Sequence, residues 1–452
     1  MSFSTAVTGL NAASNMLSVT GNNIANVNTT GFKNSRSEFA DVYSTALSSG
    51  GKTTPGSGVV TTNVAQLFGQ GNLQSTGNNL DMGISGEGFF VMGESTGNYA
   101  SHSYTRSGAF HTDQDGYVVG NNSKPLLCYR PNGTTVAEGF STGVLQPLKL
   151  DASEGQPSAT TAINTSFNLD ARKKIVDNAV FPFVGPDSSG VVDPNTYSNS
   201  SSVTVYDSLG NSHLVTQYYV KRDVSILPSP LPSPATTPAS IWDVYTTVDG
   251  KDIKGTSSPT APTPDRLTFD NSGKLEEIWP GASPAAAVTT TKIAYPSISV
   301  AADAAPMQIT LDVAGSTQLG SAFSVNTLNQ DGVTTGTLSG IDISDTGIVF
   351  ARFTNGQEKP LGQVAIVRFA NPQGLNKVGD TSWKESVQSG VPLSGVAGSG
   401  SFGTIKSGSL ESSNVELSQQ LVNLIVAQQA YQANAQTITT ENEVTRTLLQ
   451  IR

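Results

Sequence analysis

Residues Leu421-Val422-Asn423-Leu424-Ile425-Val426-Ala427-Gln428-Gln429-Ala430-Tyr431-Gln432-Ala433-Asn434-Ala435-Gln436-Thr437-Ile438 contain no charge, no Gly and no Pro. Around them Leu417, Leu421, Leu424, Gln428, Tyr431, Ala435, Ile438, Asn442, Thr445 and Leu449 follow one another in steps of four and three. That alternation is the a/d spacing of a helical seam. No helix breaker occurs between Glu411 and Arg452. The segment therefore predicts one long helix, and about 40 residues in a helix would run roughly 60 Å. Ser413 to Glu416 has the spacing of a capping box at its start.

The other end of the chain repeats the pattern. Phe3, Leu10, Leu17 and Ile24 recur every seventh position, with Ala6, Ala13, Thr20 and Val27 at the alternate step. No charged residue precedes Lys33, and none lies between Glu416 and Glu441. A solvated helix carries Lys and Glu on its outer face. Here the polar positions are amides, among them Asn11, Asn15, Asn22, Asn23, Gln419, Gln420, Gln429 and Gln432. Such a surface predicts crowded contacts with other chains. A two-helix bundle inside one soluble monomer is the plainer alternative. Gly9 and Gly21 each cost about 1 kcal/mol against Ala in a helix, so the N-terminal segment is only marginally helical alone and both ends are expected to be disordered in a monomer.

Composition bounds the middle. The 452 residues include 45 Gly and 23 Pro, only 13% are charged, and the net charge is −10. That length allows about three domains. An acidic chain lacks the basic stripe that displaces counterions from phosphates, so nucleic acid is excluded as a partner. The lone Cys128 cannot form an internal disulfide and reads as a small buried side chain. The N-terminus has no basic region followed by an apolar run, so no cleaved secretory signal is expected. The apolar stretch Leu421 to Ala427 is too short to span a bilayer, and no membrane insertion is expected.

Between the helices the texture is β. Asn28-Thr29-Thr30-Gly31-Phe32-Lys33 stops the helical period, with Gly31 suited to a positive-φ cap. A Gly-, Ser- and Thr-rich connector follows, including Ala46 to Gly58. Short alternating strands such as Gly88-Phe89-Phe90-Val91-Met92 are then separated by Gly-containing turns. The run Leu227-Pro228-Ser229-Pro230-Leu231-Pro232-Ser233-Pro234 in the 227–238 loop is polyproline-like. The expected fold is mixed and mainly β, with paired terminal α-helices and nested, discontinuous all-β domains. Its boundaries are 1–32 with 413–452 for the helical core, 33–74 with 406–412 for the connector, 75–148 with 316–405 for an inner β domain, and 149–315 for an inserted outer one. Antiparallel pairing between 75–148 and 316–405 is the expected basis of the nesting.

No enzyme is expected: the chain shows no catalytic, cofactor-binding or metal-ligating set. Gly93-Glu94-Ser95-Thr96-Gly97 matches a nucleophile elbow, but strand texture follows where the elbow needs a helix. Gly398-Ser399-Gly400-Ser401-Phe402-Gly403 matches a dinucleotide loop, yet Thr404-Ile405-Lys406 continues as strand. Asp113-Gln114-Asp115-Gly116 lacks the closing acid of a calcium loop. His102, His111 and His213 fall in no triad or metal pattern.

Asn22-Asn23-Ile24-Ala25-Asn26-Val27-Asn28-Thr29-Thr30-Gly31-Phe32-Lys33 resembles the N-terminal signature of the bacterial flagellar rod and hook family. Leu410-Glu411-Ser412-Ser413-Asn414-Val415-Glu416-Leu417 and the helix after it are similar to that family's C-terminal segment. Phe39-Ala40-Asp41-Val42, Gly88-Phe89-Phe90 and Val205-Tyr206-Asp207-Ser208-Leu209-Gly210-Asn211-Ser212-His213 look like its hook branch. The likeness covers nearly the whole chain and is weakest at about 223–300. It implies an extracellular subunit, exported without a cleaved signal peptide through the flagellar type III apparatus, that polymerises with itself into a curved tube. That tube encloses the export channel and acts as a universal joint between rod and filament. The implied partners are the distal rod protein, the hook cap protein and the hook-filament junction protein. Phe3, Leu10, Leu17, Ile24, Leu417, Leu421, Leu424, Tyr431, Ile438 and Leu449 are the expected assembly seam, and Asn22, Asn23, Ile24, Ala25, Asn26, Gly31, Phe32 and Lys33 the family motif. The distal rod protein of the same family shares the terminal motifs, and a secreted β-rich adhesin shares the Gly- and Ser-rich middle. The inserted region argues against the rod, and helices at both ends against the adhesin.

Overall fold

Val364-Ala365-Ile366-Val367 is buried at every position, which an antiparallel strand shows only when both faces of its sheet are covered. In the computed structural model this run lies in the strand Glu358–Arg368, the centre of a 10-stranded sheet. The structure describes residues 2–42, 56–97, 101–150, 155–176, 194–227, 231, 237–254, 263–283, 287–300 and 303–450. Glu358–Arg368 pairs antiparallel with Phe89–Gly93 and Leu127–Pro131 from early in the chain, and with Ile348–Phe353 and Leu393–Val396 from late in it. Val364 and Ile366 face one core with Met82, Ile84, Phe90 and Met92. Ala365 and Val367 face the other with Phe89, Tyr104 and Trp383. The expected pairing between residues 75–148 and 316–405 is thus present. Two further antiparallel pairs join the same regions: Met82–Ser85 with Thr404–Ser407, and Leu73–Ser75 with Ser409–Glu411.

The chain divides into two units: residues 1–152, 339–352 and 358–452 form unit 1, and residues 153–338 with 353–357 form unit 2. Unit 1 carries the helices α1 (Ser2–Ala25) and α2 (Leu417–Gln450) besides its sheet. Unit 2 is a sandwich. One sheet is built on Ala162–Asp170 and the other runs through Asn199–Tyr206, Ser212–Arg222, Ser240–Val248 and Asp265–Phe269. Ile163, Phe167 and Leu169 from the first sheet pack on Tyr219, Trp242 and Leu267 from the second. Phe167 and Tyr219 stand 4.6 Å apart between ring centroids.

Three expectations change. Residues 316–338, assigned above to the inner domain, belong to unit 2, because Thr317–Leu319 and Ser324–Gln330 hydrogen-bond to Ala162–Asp170. The 33–74 connector is partly a β-ribbon, β1 (Ser35–Asp41) against β2 (Val59–Gln66), with a bulge at Glu38/Phe39. Helix α2 begins at Leu417 rather than at Ser413: Gln420 N donates to Glu416 O, while Ser413 Oγ accepts from Val415 N in a turn ahead of the helix. Most of the Pro-rich 227–238 loop and of the Gly-rich 46–58 stretch lies outside the described residues.

Neither loop motif gains the helix its chemistry needs. Gly93 ends a strand hairpinned to His102–Thr105, and Gly398–Gly403 leads into the strand Thr404–Ser407. Asp113 Oδ1 accepts from the amides of Asp115 and Tyr117 in a turn. Cys128 is buried, and burial pushes its thiol up to about 12, far from the range of a reactive cysteine. Truncating Phe167, fully buried in the sandwich, to Ala is expected to lower unit 2's unfolding free energy by about 3–5 kcal/mol. Urea denaturation followed by tryptophan fluorescence checks it, since Trp242 and Trp279 are in this unit.

Candidate assembly site

Helices α1 and α2 run antiparallel. Asn23 Nδ2 donates to Gln420 Oε1 at 3.1 Å near one end. Further along, a Cβ on Gly9 would fall 2.6 Å from Asn434 Oδ1. The buried positions are small or polar: Ala6, Ala13, Thr20 and Asn23 on α1, Gln420 and Ala427 on α2. Seven-residue spacing therefore holds, but on the small-residue track. At Gly9, a weak helix former, any side chain would have to displace the amide of Asn434. A second face of α1 meets the ribbon, with Asn15 Nδ2 donating to Thr61 Oγ1 and Val59 N to Thr8 Oγ1.

The large apolar residues expected to form the seam sit elsewhere. Phe3, Leu417, Leu421, Tyr431 and Leu449 are exposed, and Leu10, Leu17, Ile24, Leu424 and Ile438 are half-buried. Val422, Ile425 and Val426 are also about half-exposed, at 54%, 52% and 50%. Within one chain, then, the helices spend their smallest side chains on each other and leave a broad uncharged apolar surface facing outward.

The base of the helix pair is built from the Asn22–Lys33 motif. Asn23 is buried and satisfied on both sides of its amide: Oδ1 accepts from Ser35 N, and Nδ2 also donates to Ser35 O. Helix α1 ends at Ala25, and Asn26 donates from N and Nδ2 to Asn22 O. Gly31 lies beyond the helix end, so its φ of +70° serves a different purpose from the cap expected of it. It lets Gly31 N donate to Glu411 O at 2.8 Å while the Cα passes Ser107, whose N would lie 2.5 Å from any Cβ. Phe32 is buried with Lys377 Nζ 5.2 Å above its ring. Asn22 and Ala25 are exposed, and Ile24 and Asn26 half-buried.

Lys33 carries the most consequential contact. Its Nζ donates to Glu411 Oε1 at 2.6 Å and to Gly69 O at 2.9 Å. Arg106 Nη1 donates to Glu411 Oε2 at 3.1 Å, and its Nη2 to Gly86 O. Gly71 N also donates to Glu411 Oε1. The side chains are 1%, 5% and 0% exposed for Lys33, Arg106 and Glu411, so two cations and one carboxylate share a dry site. Burial pulls the ammonium of Lys33 and the guanidinium of Arg106 below their usual pKa values, and Glu411 opposes that in both. Asn414, three residues on, accepts from Asn34 N at 2.7 Å and donates to Leu67 O and Gly69 O. The residue after α1 and the residues before α2 are thereby tied to each other and to the sheet.

Sequence reasoning did not foresee Arg106, Asn34 or the pairing of Glu411. A signal was present for part of it: Lys33 is the first charge met from the N-terminal end, and Glu411 and Glu416 are the last charges before the uncharged stretch of the C-terminal helix. Arg106 had none, since only the fold brings it there.

Four family models match successive parts of the chain. They are Flagella basal body rod protein (residues 3–33), Flagellar hook protein FlgE/F/G D1 domain (83–141), Flagellar basal body protein FlaE D2 domain (168–333) and Flagellar basal body rod FlgEFG protein C-terminal (406–451). Together with the helix pair they define a structural subunit of the rod and hook class. The flagellar hook protein FlgE of Salmonella typhimurium strain LT2 is 36% identical over 455 residues, covering 100% of both chains. That of Escherichia coli strain K12 is 36% identical over 458 residues, again with 100% of both covered. The crystal structure of Helicobacter pylori flagellar hook protein FlgE2 shares the fold at a TM-score of 0.50 and 15% identity, over 74% of this chain and 99% of that one. The chain belongs to the flagellar hook protein family, structural subunits of the hook rather than enzymes.

Removing one partner from a buried ion group leaves uncompensated charge and typically costs about 3–5 kcal/mol. Glu411→Gln leaves both Lys33 and Arg106 unpaired, and is expected to lower unit 1's unfolding free energy by about that amount in urea titrations. Lys33→Met, which leaves Glu411 paired to Arg106, is expected to cost less.

Proposed function

We propose that the chain assembles through α1 and α2 into the curved tubular hook, with the terminal helices lining an export channel and the polymer carrying torque from rod to filament. The observation that carries this reading is the uncharged stretch 417–440 of helix α2, whose Leu421, Val422, Ile425 and Val426 lie 45–54% exposed in the single chain. An exposed apolar surface of this kind marks an interaction site. Neighbouring copies bury it, at about 1.5–3 kcal/mol for each side chain covered. Phe3, Leu417, Tyr431 and Leu449 extend the same surface, while Leu10, Leu17, Ile24, Leu424 and Ile438 border it.

In this reading the chain is extracellular, leaves the cell through the flagellar type III export apparatus without a cleaved signal peptide, and meets the distal rod protein, the hook cap protein and the hook-filament junction protein at the ends of the polymer. Closely packed helices resist rotation of one copy against another. Gly-rich segments between them allow copies to slide as the tube bends, so torque passes while bending costs little.

Leu421→Asp tests the surface without touching the chain's own core, because Leu421 lies off the small-residue track that joins α1 to α2. The expected result is a monomer with unchanged circular dichroism that forms no tubes by electron microscopy under conditions where the natural chain does. Tubes at natural yield from Leu421→Asp overturn the assignment.

A further inference from the structure

In unit 2, the strands Asn199–Tyr206 and Ser212–Arg222 are joined by a tight turn built on Asp207. Its carboxylate is fully buried and accepts from Leu209 N, Asn211 N and Asn211 Nδ2 at 2.8–2.9 Å. A second turn, between Ser240–Val248 and Lys251–Asp252, is built on Asp249, held at φ +50°. Asp249 N donates to Leu214 O, and Asp249 Oδ1 accepts from Leu214 N at 2.9 Å. His213 stands between the two turns. Its Nδ1 is 2.6 Å from Asp249 Oδ2 and its Nε2 is 3.4 Å from Asp207 Oδ2.

We propose that His213 is a pH-dependent clasp between these two turns, closed when the ring is an imidazolium and open at one side when it is neutral. An imidazolium has two N–H donors and satisfies both carboxylates. A neutral ring has one donor, so one nitrogen must turn a lone pair toward a carboxylate. The shorter contact keeps the hydrogen on Nδ1 toward Asp249, and the Asp207 side opens. Asp207 loses little by this, because three N–H groups still hold it. What is lost is the tie between the turns.

The charged groups acting on the ring among the described residues are Asp249 and Asp207, with Lys251 acting in turn on Asp249. Burial alone lowers the His213 pKa, but the two carboxylates outweigh it and hold it above the ordinary 6.5. Burial likewise opposes ionisation of Asp207, yet the bonds from Asn211, His213 and Leu209 bring it down to about 2, so it stays charged while the histidine titrates. A folded-state pKa raised in this way stabilises the native state fully below the unfolded value near 6.5, and that contribution is lost as pH rises through the raised value. The clasp is independent of the assembly surface and does not rest on the hook reading.

The test is a proton NMR titration of the full-length chain with ring-labelled histidine, with His213→Gln used to assign the His213 signal. The expected midpoint lies above 6.5 and falls by about one unit in Asp249→Asn. Above that midpoint, the ring nitrogen signals are expected to show Nδ1 still protonated toward Asp249 and Nε2 unprotonated toward Asp207. Should His213→Gln fail to fold, Asp207→Asn and Asp249→Asn assign the signal through their shifts. A midpoint at or below 6.5, a midpoint unmoved by Asp249→Asn, or a neutral ring that carries its hydrogen on Nε2 overturns the clasp.

Discussion

Everything distinctive about unit 1 depends on one buried carboxylate. Glu411 lies where the chain turns from its last strand toward α2, and it draws together Lys33 from the end of the N-terminal motif and Arg106 from the sheet. Two cations against one anion in a buried site make the carboxylate the partner that cannot be spared, since losing it strands both charges, whereas losing Lys33 leaves Glu411 paired to Arg106. The surrounding geometry follows from it. Gly31 must lack a side chain and adopt positive φ for its amide to reach Glu411 O. Gly71 must lack one because Ser412 O lies 2.0 Å from where its Cβ would stand. Asn23 and Asn414 complete the joint with hydrogen bonds that a carboxylate could not reproduce, as each amide both donates and accepts.

With the base fixed in this way, the helices above it are free to present an unusual surface. They meet along alanine, threonine, glycine and amide positions and leave many leucine, valine and isoleucine side chains exposed. For a monomer this is a poor use of apolar side chains. For a subunit of a tube it is economical in the proposed reading, where neighbouring copies cover the bulky residues.

The helical ends and their heptad spacing were legible in the sequence because periodicity is local. So was the β texture between them, and so was antiparallel pairing of an early region with a late one, although only the part of 316–405 after 338 takes part in it. The identity of the intrachain seam was not legible. Phe3, Leu10 and Leu421 carry the stronger hydrophobic signal, whereas the buried positions are Ala6, Ala13, Thr20, Asn23, Gln420 and Ala427, a property of the pair and not of either helix. Residues 316–338 were misassigned for a similar reason: their strands complete a sheet built on Ala162–Asp170, about 150 residues earlier in the chain, and short strands carry no mark of their partner. The motif Asn22–Lys33 stood out as a pattern, but its physical meaning required Arg106 and Glu411, which only folding brings beside it.

The most direct test of the central claim is a distance distribution between spin labels placed at Gln429 on α2 and Val378 at the edge of the sheet, both exposed and both in unit 1. Cys128, buried and with its thiol pushed up to about 12, does not compete for the label. If Glu411 fixes the helices to the sheet, the distribution is narrow in the natural chain and broadens markedly in Glu411→Gln under conditions where the sheet remains folded. An equally narrow distribution in both proteins would contradict the account and place the rigidity of the joint elsewhere.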